Sequence, residues 1–215
     1  KIKKIITKFN KIKSLKENYF SKNYGNKFFT MNNARLIGTI REKIEKISIT
    51  KDEKFILLTS LIYAVDKIAN TVGHYDAYIK KLDKLSSLEL NAPLIETERN
   101  KNNKVYNEDA NKLADIITAD MTYVDPPYNS RQYSDTYHLL ENLAEWKKPP
   151  LRGKANKMNR DHIKSEYCLK NAPEVFEDLI EKLQTKHIIV SYNNTEQKMN
   201  ARSNARISFK QIKNI

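Results

Sequence analysis

One short stretch of this 215-residue chain combines residue types and spacing that could carry a reaction: Asp125-Pro126-Pro127-Tyr128. Two of the chain's six prolines stand side by side after an apolar run and an aspartate. Each proline fixes its φ near −65° and lacks an N–H, so the backbone here is stiff and offers carbonyls only. The Asp125 carboxylate and the Pro126 carbonyl then form a rigid pair of acceptors, with the Tyr128 ring beside them. Two acceptors and an aromatic face suit a planar group bearing an exocyclic NH₂. An adenine or cytosine rotated out of a duplex is such a group. A Pro-Pro turn with a capping aspartate is the plainer reading of the same residues.

Such a site needs a strand to aim it, because ligands of open parallel sheets bind beyond the carboxyl ends of the strands. The sequence predicts that strand at 121–124, running into Asp125. Around it the pattern predicts a strand at 104–107, a helix over 109–117 and a helix over 134–146 with Tyr137, Leu140, Leu143 and Ala144 on its apolar face. A helix over 173–183, a continuously apolar buried strand at 188–190 and a terminal helix follow. This alternation implies an α/β fold with a parallel sheet and right-handed crossovers, a Rossmann-like layer. The first hundred residues are mainly helical. A helix over 1–17 carries Ile2, Ile5, Ile6, Phe9, Ile12 and Leu15. A second, capped near Asn32-Asn33, carries Leu36, Ile37, Ile40, Ile44 and Ile47. A third, from Thr50, has Asp52 and Glu53 in its first turn and Phe55, Leu58, Leu61, Ile62, Val65 and Ile68 along one side. Residues 71–103 read as loops and short extended pieces. The expected division is a helical lobe over 1–100 and a partial Rossmann-like catalytic domain over 101–215.

Composition limits the partners. The 39 Lys and Arg outnumber the 26 Asp and Glu, for a net charge of +13. That excess fits a polyanion such as nucleic acid, or a lysine-rich proteome bias. Lys147, Lys148, Arg152, Lys154, Lys157 and Arg160 fall in a basic excursion that either tracks phosphates or is a solvated loop. No apolar run approaches the roughly 20 residues that cross a bilayer, so no membrane is expected. The single cysteine, Cys168, excludes an internal disulfide and fits a reducing cytoplasm.

The longer string DPPYNSRQYSDTYHLLE, from Asp125 to Glu141, resembles the modification methylases of type II restriction systems, within the Dam-like class of DNA adenine-N6 methyltransferases. The resemblance implies a Rossmann-like methyltransferase fold, S-adenosyl-L-methionine as cofactor, double-stranded DNA as substrate and no metal. A cognate restriction endonuclease would act on the same site. Asp125, Pro126, Pro127 and Tyr128 are then catalytic. Hydrogen bonds from both amino protons to Asp125 and the Pro126 carbonyl localise the N6 lone pair and stabilise the charge that develops on nitrogen. In-line positioning against a methyl sulfonium supplies much of the remaining acceleration. Cytosine-C5 methylation needs a nucleophilic cysteine in a Pro-Cys setting, which Cys168 lacks.

The same resemblance touches other residues. In VYNEDANKL, Asp109 matches the acidic residue that approaches the cofactor's adenine, with Asp125 also at the cofactor. Ala110 stands where the family often has an aromatic, and Asp109 equally suits a helix cap. In IANTVGHYDAYIKK, Asn70, Gly73 and Tyr75 match a segment lying near the DNA, although Gly73 also fits a helix stop. Asn129, Ser130, Arg131, Gln132 and Tyr133 are residue types that contact bases and phosphates. His138 continues the family string. The family's glycine-rich FxGxG loop has no counterpart among Gly25, Gly38, Gly73 and Gly153. The expectation is therefore an internal fragment or split subunit of a longer methylase, weakly active alone. A cytosine-N4 or RNA amino methyltransferase, and a non-catalytic DNA-binding remnant, remain alternatives.

Overall fold

The computed structural model describes residues 1–13, 16–82, 86–96, 98–193 and 204–215. They form two compact units: Lys1–Glu98 with Ser134–Arg160, and Arg99–Tyr133 with Asp161–Ile215. The expected single cut near residue 100 is thus only the first of three crossings. Residues 134–160 return to the helical unit because Leu139, Leu143 and Trp146 are buried in its core.

That unit is built on α1 (Ile2–Asn10), α2 (Tyr19–Tyr24), α3 (Met31–Lys46) and α4 (Lys51–Lys67). The helix expected over 1–17 stops at Asn10, and Leu15 lies outside the described residues. Thr30, not the Asn32-Asn33 pair, caps α3, accepting from Asn33 N at 3.2 Å. Asn33 is instead buried and grips the loop, donating to Ser86 O at 2.8 Å and accepting from Leu88 N at 3.2 Å. Thr50 and Glu53 cap each other at the start of α4. The helix expected over 134–146 is broken at Tyr137 into α6 (Tyr133–Thr136) and α7 (His138–Glu145). The break turns Tyr137 outward, 43% exposed, and leaves Leu139 and Leu143 to face the core.

Arg41 fastens α7 to α3. Its side chain is buried, donates from Nε to Leu143 O at 2.7 Å and from Nη2 to Ala144 O at 2.9 Å, and pairs with Glu45. The last carbonyls of a helix are its negative end, so a guanidinium is well matched there. Its plane also lies 5.3 Å from the Trp146 ring centre, and Trp146 closes α7 in the left-handed region at φ 58°.

The second unit holds, among the described residues, a two-stranded parallel sheet of β1 (Thr118–Val124) and β2 (Gln184–Val190). Thr118 lies opposite Gln184 and Val124 opposite Val190. Helices α5 (Ala110–Ala114) and α8 (Ala172–Lys182) bury one face, where Ala114, Phe176 and Leu179 pack with Val124 and Val190. The last helix, α9 (Phe209–Asn214), adds Ile212 to that core. Side chains alternate along a strand, so Met121, Tyr123 and Ile189 face the other way and are 57%, 63% and 47% exposed. The buried strand expected at 188–190 is therefore covered on one side only. No strand forms at 104–107, where Val105 is fully open to solvent and no ladder is present to pair with it. No described helix is long and apolar enough to cross a membrane.

Gly38, inside α3, makes room for the side chain of Asn18, which caps α2 through Ser21 N at 3.0 Å and donates to Arg35 O at 2.9 Å. A Cβ at Gly38 would come 2.5 Å from Asn18 Cγ and closer still to its Oδ1. Gly→Ala in a helix interior normally gains about 1 kcal/mol. Here overpacking costs about 1–3 kcal/mol and displacing the cap about 1 kcal/mol more. Gly38→Ala is expected to lower the midpoint of thermal unfolding; a raised midpoint would show that Asn18 moves aside freely.

Candidate active site

β1 delivers Asp125 to a cavity. Val124 is buried and paired with Val190, and Ser191 N donates to Val124 O at 2.9 Å, so the pairing holds up to the residue before Asp125. Pro126 and Pro127 then end any further pairing, having no N–H. Asp125, Pro126 and Pro127 line a cavity of about 810 Å³ within the second unit. Among the described residues no hydrogen bond claims the Asp125 carboxylate, and that residue is exposed. Tyr128 is not part of the lining. Its carbonyl accepts from Arg206 N at 2.7 Å and from Tyr192 Oη at 3.2 Å, while its ring stays 36% exposed. Burial pushes the Tyr192 phenol up from its ordinary range, so it remains a donor at neutral pH.

Asp109 lines the same cavity, together with Glu108 and Lys112. It caps α5, with Oδ1 accepting from Asn111 N at 3.1 Å and Lys112 N at 3.2 Å. Both bonds use one oxygen, so capping leaves the other available to a ligand. A separate stretch of the lining is made by His162, Lys164, Ser165, Glu166 and Tyr167. Sequence reasoning missed this wall by merging it with the basic excursion. The charge pattern marks the boundary: residues 147–160 contain no acid, whereas 161–167 contain Asp161 and Glu166. In all, four carboxylates (Glu108, Asp109, Asp125, Glu166) and two lysines (Lys112, Lys164) line the cavity of a chain whose net charge is +13.

The residues expected at DNA divide. Asn129, Ser130, Arg131 and Tyr133 follow the cavity lip at least partly open to solvent, with Asn129 Oδ1 accepting from Arg131 N at 2.9 Å. Gln132 is buried, and both ends of its amide bond the Ser165 backbone. Asn70 and Tyr75 belong to the helical unit and are buried there, so neither faces solvent as a base contact would. Asn70 donates to Lys27 O and Ile79 O at 3.1 and 2.6 Å, and the Tyr75 hydroxyl donates to Asp66 at 2.9 Å. Gly73 does sit at φ 96°, as a loop turn after α4 requires. His138 is fully buried, with Nε2 donating to Tyr75 O at 2.9 Å, and ties α7 to the same loop. In the basic excursion Lys147, Lys148, Lys157 and Arg160 pair with Glu145, Glu42, Asp76 and Asp135. Most of its charge is thereby neutralised inside the helical unit.

Comparison with known proteins gives the family of the chain. The family model for the D12 class N6 adenine-specific DNA methyltransferases matches residues 1–204. The chain belongs to this family. Among its relatives, the modification methylase StsI of Streptococcus sanguinis is 42% identical over 174 residues, 78% of this chain and 26% of that protein. The type II methyltransferase M.FokI of Planomicrobium okeanokoites is 40% identical over 175 residues, covering 77% of this chain and 27% of that protein. M.NlaIII of Neisseria lactamica is 37% identical over 174 residues, 78% of this chain and 51% of that protein. The chain thus spans about a quarter to a half of the length of these relatives. No solved structure matches it significantly. Membership in the D12 family implies a methyl donor.

Burial holds the His138 imidazole down at about 4, against 6.5 when free, with Lys157 and Arg160 pushing the same way and the bond to Tyr75 O opposing. The unfolded chain therefore binds a proton below pH 6.5 that the folded chain refuses until about pH 4. Stability contributed by neutral His138 is complete above pH 6.5 and is lost as pH falls toward 4, a change of about 3 kcal/mol. Unfolding free energies of the wild type and of His138→Gln, measured from pH 7.5 to 4.5, should converge as pH falls. A constant gap between the two would contradict the assignment.

Proposed function

We propose that this chain carries the methyl-transfer site of a site-specific DNA adenine-N6 methyltransferase, acting in a type II restriction-modification system to protect host DNA. The observation that supports it most is the placement of Asp125 and Pro126 at the end of a paired strand, on a cavity shared with Asp109. S-adenosylmethionine, when bound, would supply an electrophilic methyl group on a sulfonium. The cavity suits that ligand: a carboxylate-rich wall in a strongly basic chain favours a cation over an anion.

The chain's own residues do the rest. The Asp125 carboxylate and the Pro126 carbonyl accept the two amino protons of an adenine turned out of its duplex. Acceptance pulls the nitrogen toward tetrahedral geometry and aims its lone pair into the cavity. A C–N bond then forms as the S–CH₃ bond breaks, and the extra proton on nitrogen passes to solvent. The fixed acceptors stabilise the positive charge on nitrogen without having to reorganise. The Tyr128 ring offers the extruded base a stacking face. Asp109 meets the adenine end of the cofactor through the oxygen that capping leaves open. Asn129, Ser130, Arg131 and Tyr133 contact the DNA around the vacated position, Arg131 through phosphate or a guanine edge. The alternatives of cytosine-N4 or RNA amino methylation have no such support from the relatives, whose family name specifies adenine in DNA.

The gene encoding this chain, expressed in a methylation-deficient host, should deposit N6-methyladenine at one sequence, mapped by single-molecule sequencing. Asp125→Ala should lower the rate roughly a hundredfold or more, the scale for losing one preorganised charge-stabilising group. Methylation at full rate by Asp125→Ala would end the assignment. Asp109→Asn separates that residue's two roles, because asparagine caps a helix about as well as aspartate. It should melt like wild type yet bind S-adenosylmethionine about tenfold more weakly, a loss of roughly 1.4 kcal/mol. Unchanged cofactor affinity would reduce Asp109 to a cap.

A further inference from the structure

The stretch of cavity wall at 164–167 is held by a pair of bonds with no part in the scheme above. Ser165 N donates to Gln132 Oε1 at 2.7 Å, and Gln132 Nε2 donates back to Ser165 O at 2.8 Å. The glutamine is 6% exposed, so this reciprocal pair is shielded from water. Next to it, Cys168 Sγ lies 3.5 Å from Arg131 O, and Arg206 Nε donates to Cys168 O at 3.1 Å. On the far side, the Tyr167 hydroxyl donates to Asn111 Oδ1 at 2.7 Å, two residues past Asp109. Residues 164–167 are thus strung between the loop that carries Asp125 and the helix that Asp109 caps. Lys164, Ser165, Glu166 and Tyr167 all line the cavity along that span.

Gln132 was expected at DNA because its amide is a group that contacts bases and phosphates. Here both ends are spent on Ser165, and opening them would leave buried partners unpaired. We propose that Gln132 is a positioning residue of the methyl-donor site, acting through the Ser165 backbone to set the 164–167 wall against Asp109 and Asp125. The inference rests on the methyltransferase reading and adds to it a wall and a residue that fixes it. A glutamine is suited to this task because one side chain both donates and accepts, matching the N–H and C=O of a single backbone residue. Asparagine is a methylene too short to keep both bonds, and glutamate keeps only the one that accepts from Ser165 N.

The test uses the protein expressed from its full gene, as wild type, Gln132→Ala and Gln132→Glu. Equilibrium affinities for S-adenosylmethionine and for cognate DNA are measured on the same preparations, with KM and kcat where turnover is seen. Gln132→Ala should raise the dissociation constant and KM for S-adenosylmethionine about tenfold, the scale of one or two buried hydrogen bonds, with DNA affinity within about twofold. Gln132→Glu should fall between, as a partial rescue. Loss of DNA affinity or of sequence preference with the cofactor constants unchanged would overturn the proposal in favour of base reading. Unchanged values throughout would overturn it as well. Should Gln132→Ala fail to fold, amide exchange on the wild type decides: S-adenosylmethionine should slow residues 164–168 together with 122–128. Slowing confined to 122–128 would refute the wall. A wild type that binds no S-adenosylmethionine at all is a different result and removes the methyltransferase reading itself.

Discussion

The geometry of the candidate site depends on where β1 stops being a strand. Up to Val124 the chain is held by the β2 ladder, extended one step by Ser191 N on Val124 O, and by a core of Ala114, Phe176 and Leu179. One residue later the ladder cannot continue, because Pro126 and Pro127 have no N–H to give. The change from paired strand to carbonyl-bearing elbow therefore takes place at Asp125 alone. Three residues on, the Tyr128 carbonyl is taken by Arg206 N and Tyr192 Oη, so the elbow is pinned at both ends. A loop with two fixed ends and two fixed φ angles has little entropy left to lose on binding a ligand.

The helical unit solves a different problem, burying polar groups where its helices and loops meet. Arg41, Asn33, Asn70 and Asn142 all have almost no solvent exposure, and each binds backbone carbonyls or tyrosine hydroxyls from a distant part of the chain. An unpaired guanidinium in such a place would be prohibitive. Arg41 is tolerated because two helix-end carbonyls and Glu45 surround it, and the stacked indole of Trp146 replaces water on its flat side. Such joints are directional, so they fix how α3 and α7 meet more sharply than the apolar contacts of Ile37, Ile40 and Leu143 could.

Local signals carried much of this into the sequence. Asp125, the strand before it, the α8 helix and the Thr50 start of α4 were legible because each depends on neighbours within a few residues: a proline pair, a 3.6-residue period, a capping box. The misreadings share a cause, which is that distance along the chain hides the partner. Asn70, Tyr75 and Gln132 are polar types that look surface-bound until Lys27, Ile79, Asp66 and Ser165 come to meet them. Ile188 and Ile189 look like a doubly buried strand, yet only one face of the two-stranded sheet is covered by the described helices. The short α2 gave little periodicity to find, since six residues make fewer than two turns.

Charge separates the two substrates that the proposed reaction must bring together. In that proposal DNA is a polyanion, and the net charge of +13 carried by these 215 residues has the sign that attracts one. If the same sign prevailed in the cavity, a sulfonium cofactor would be repelled from the place where its methyl group is needed. The cavity instead gathers Glu108, Asp109, Asp125 and Glu166 around two lysines, one of which, Lys164, is paired with Asp161 at 2.6 Å. At physiological salt, the potential of an exposed charge decays over about 8 Å, so the local sign inside a cleft is set by its own walls rather than by distant lysines. In the basic excursion, Lys147, Lys148, Lys157 and Arg160 are likewise spoken for by their own carboxylates. Net charge read from composition therefore fits a polyanionic partner but does not say where one would lie. Among the described residues, Arg131 just past the cavity lip and Lys3, Lys4 and Lys8 on α1 are exposed with no carboxylate in ion-pair reach, so in the proposed reaction these are the candidates for phosphate contact.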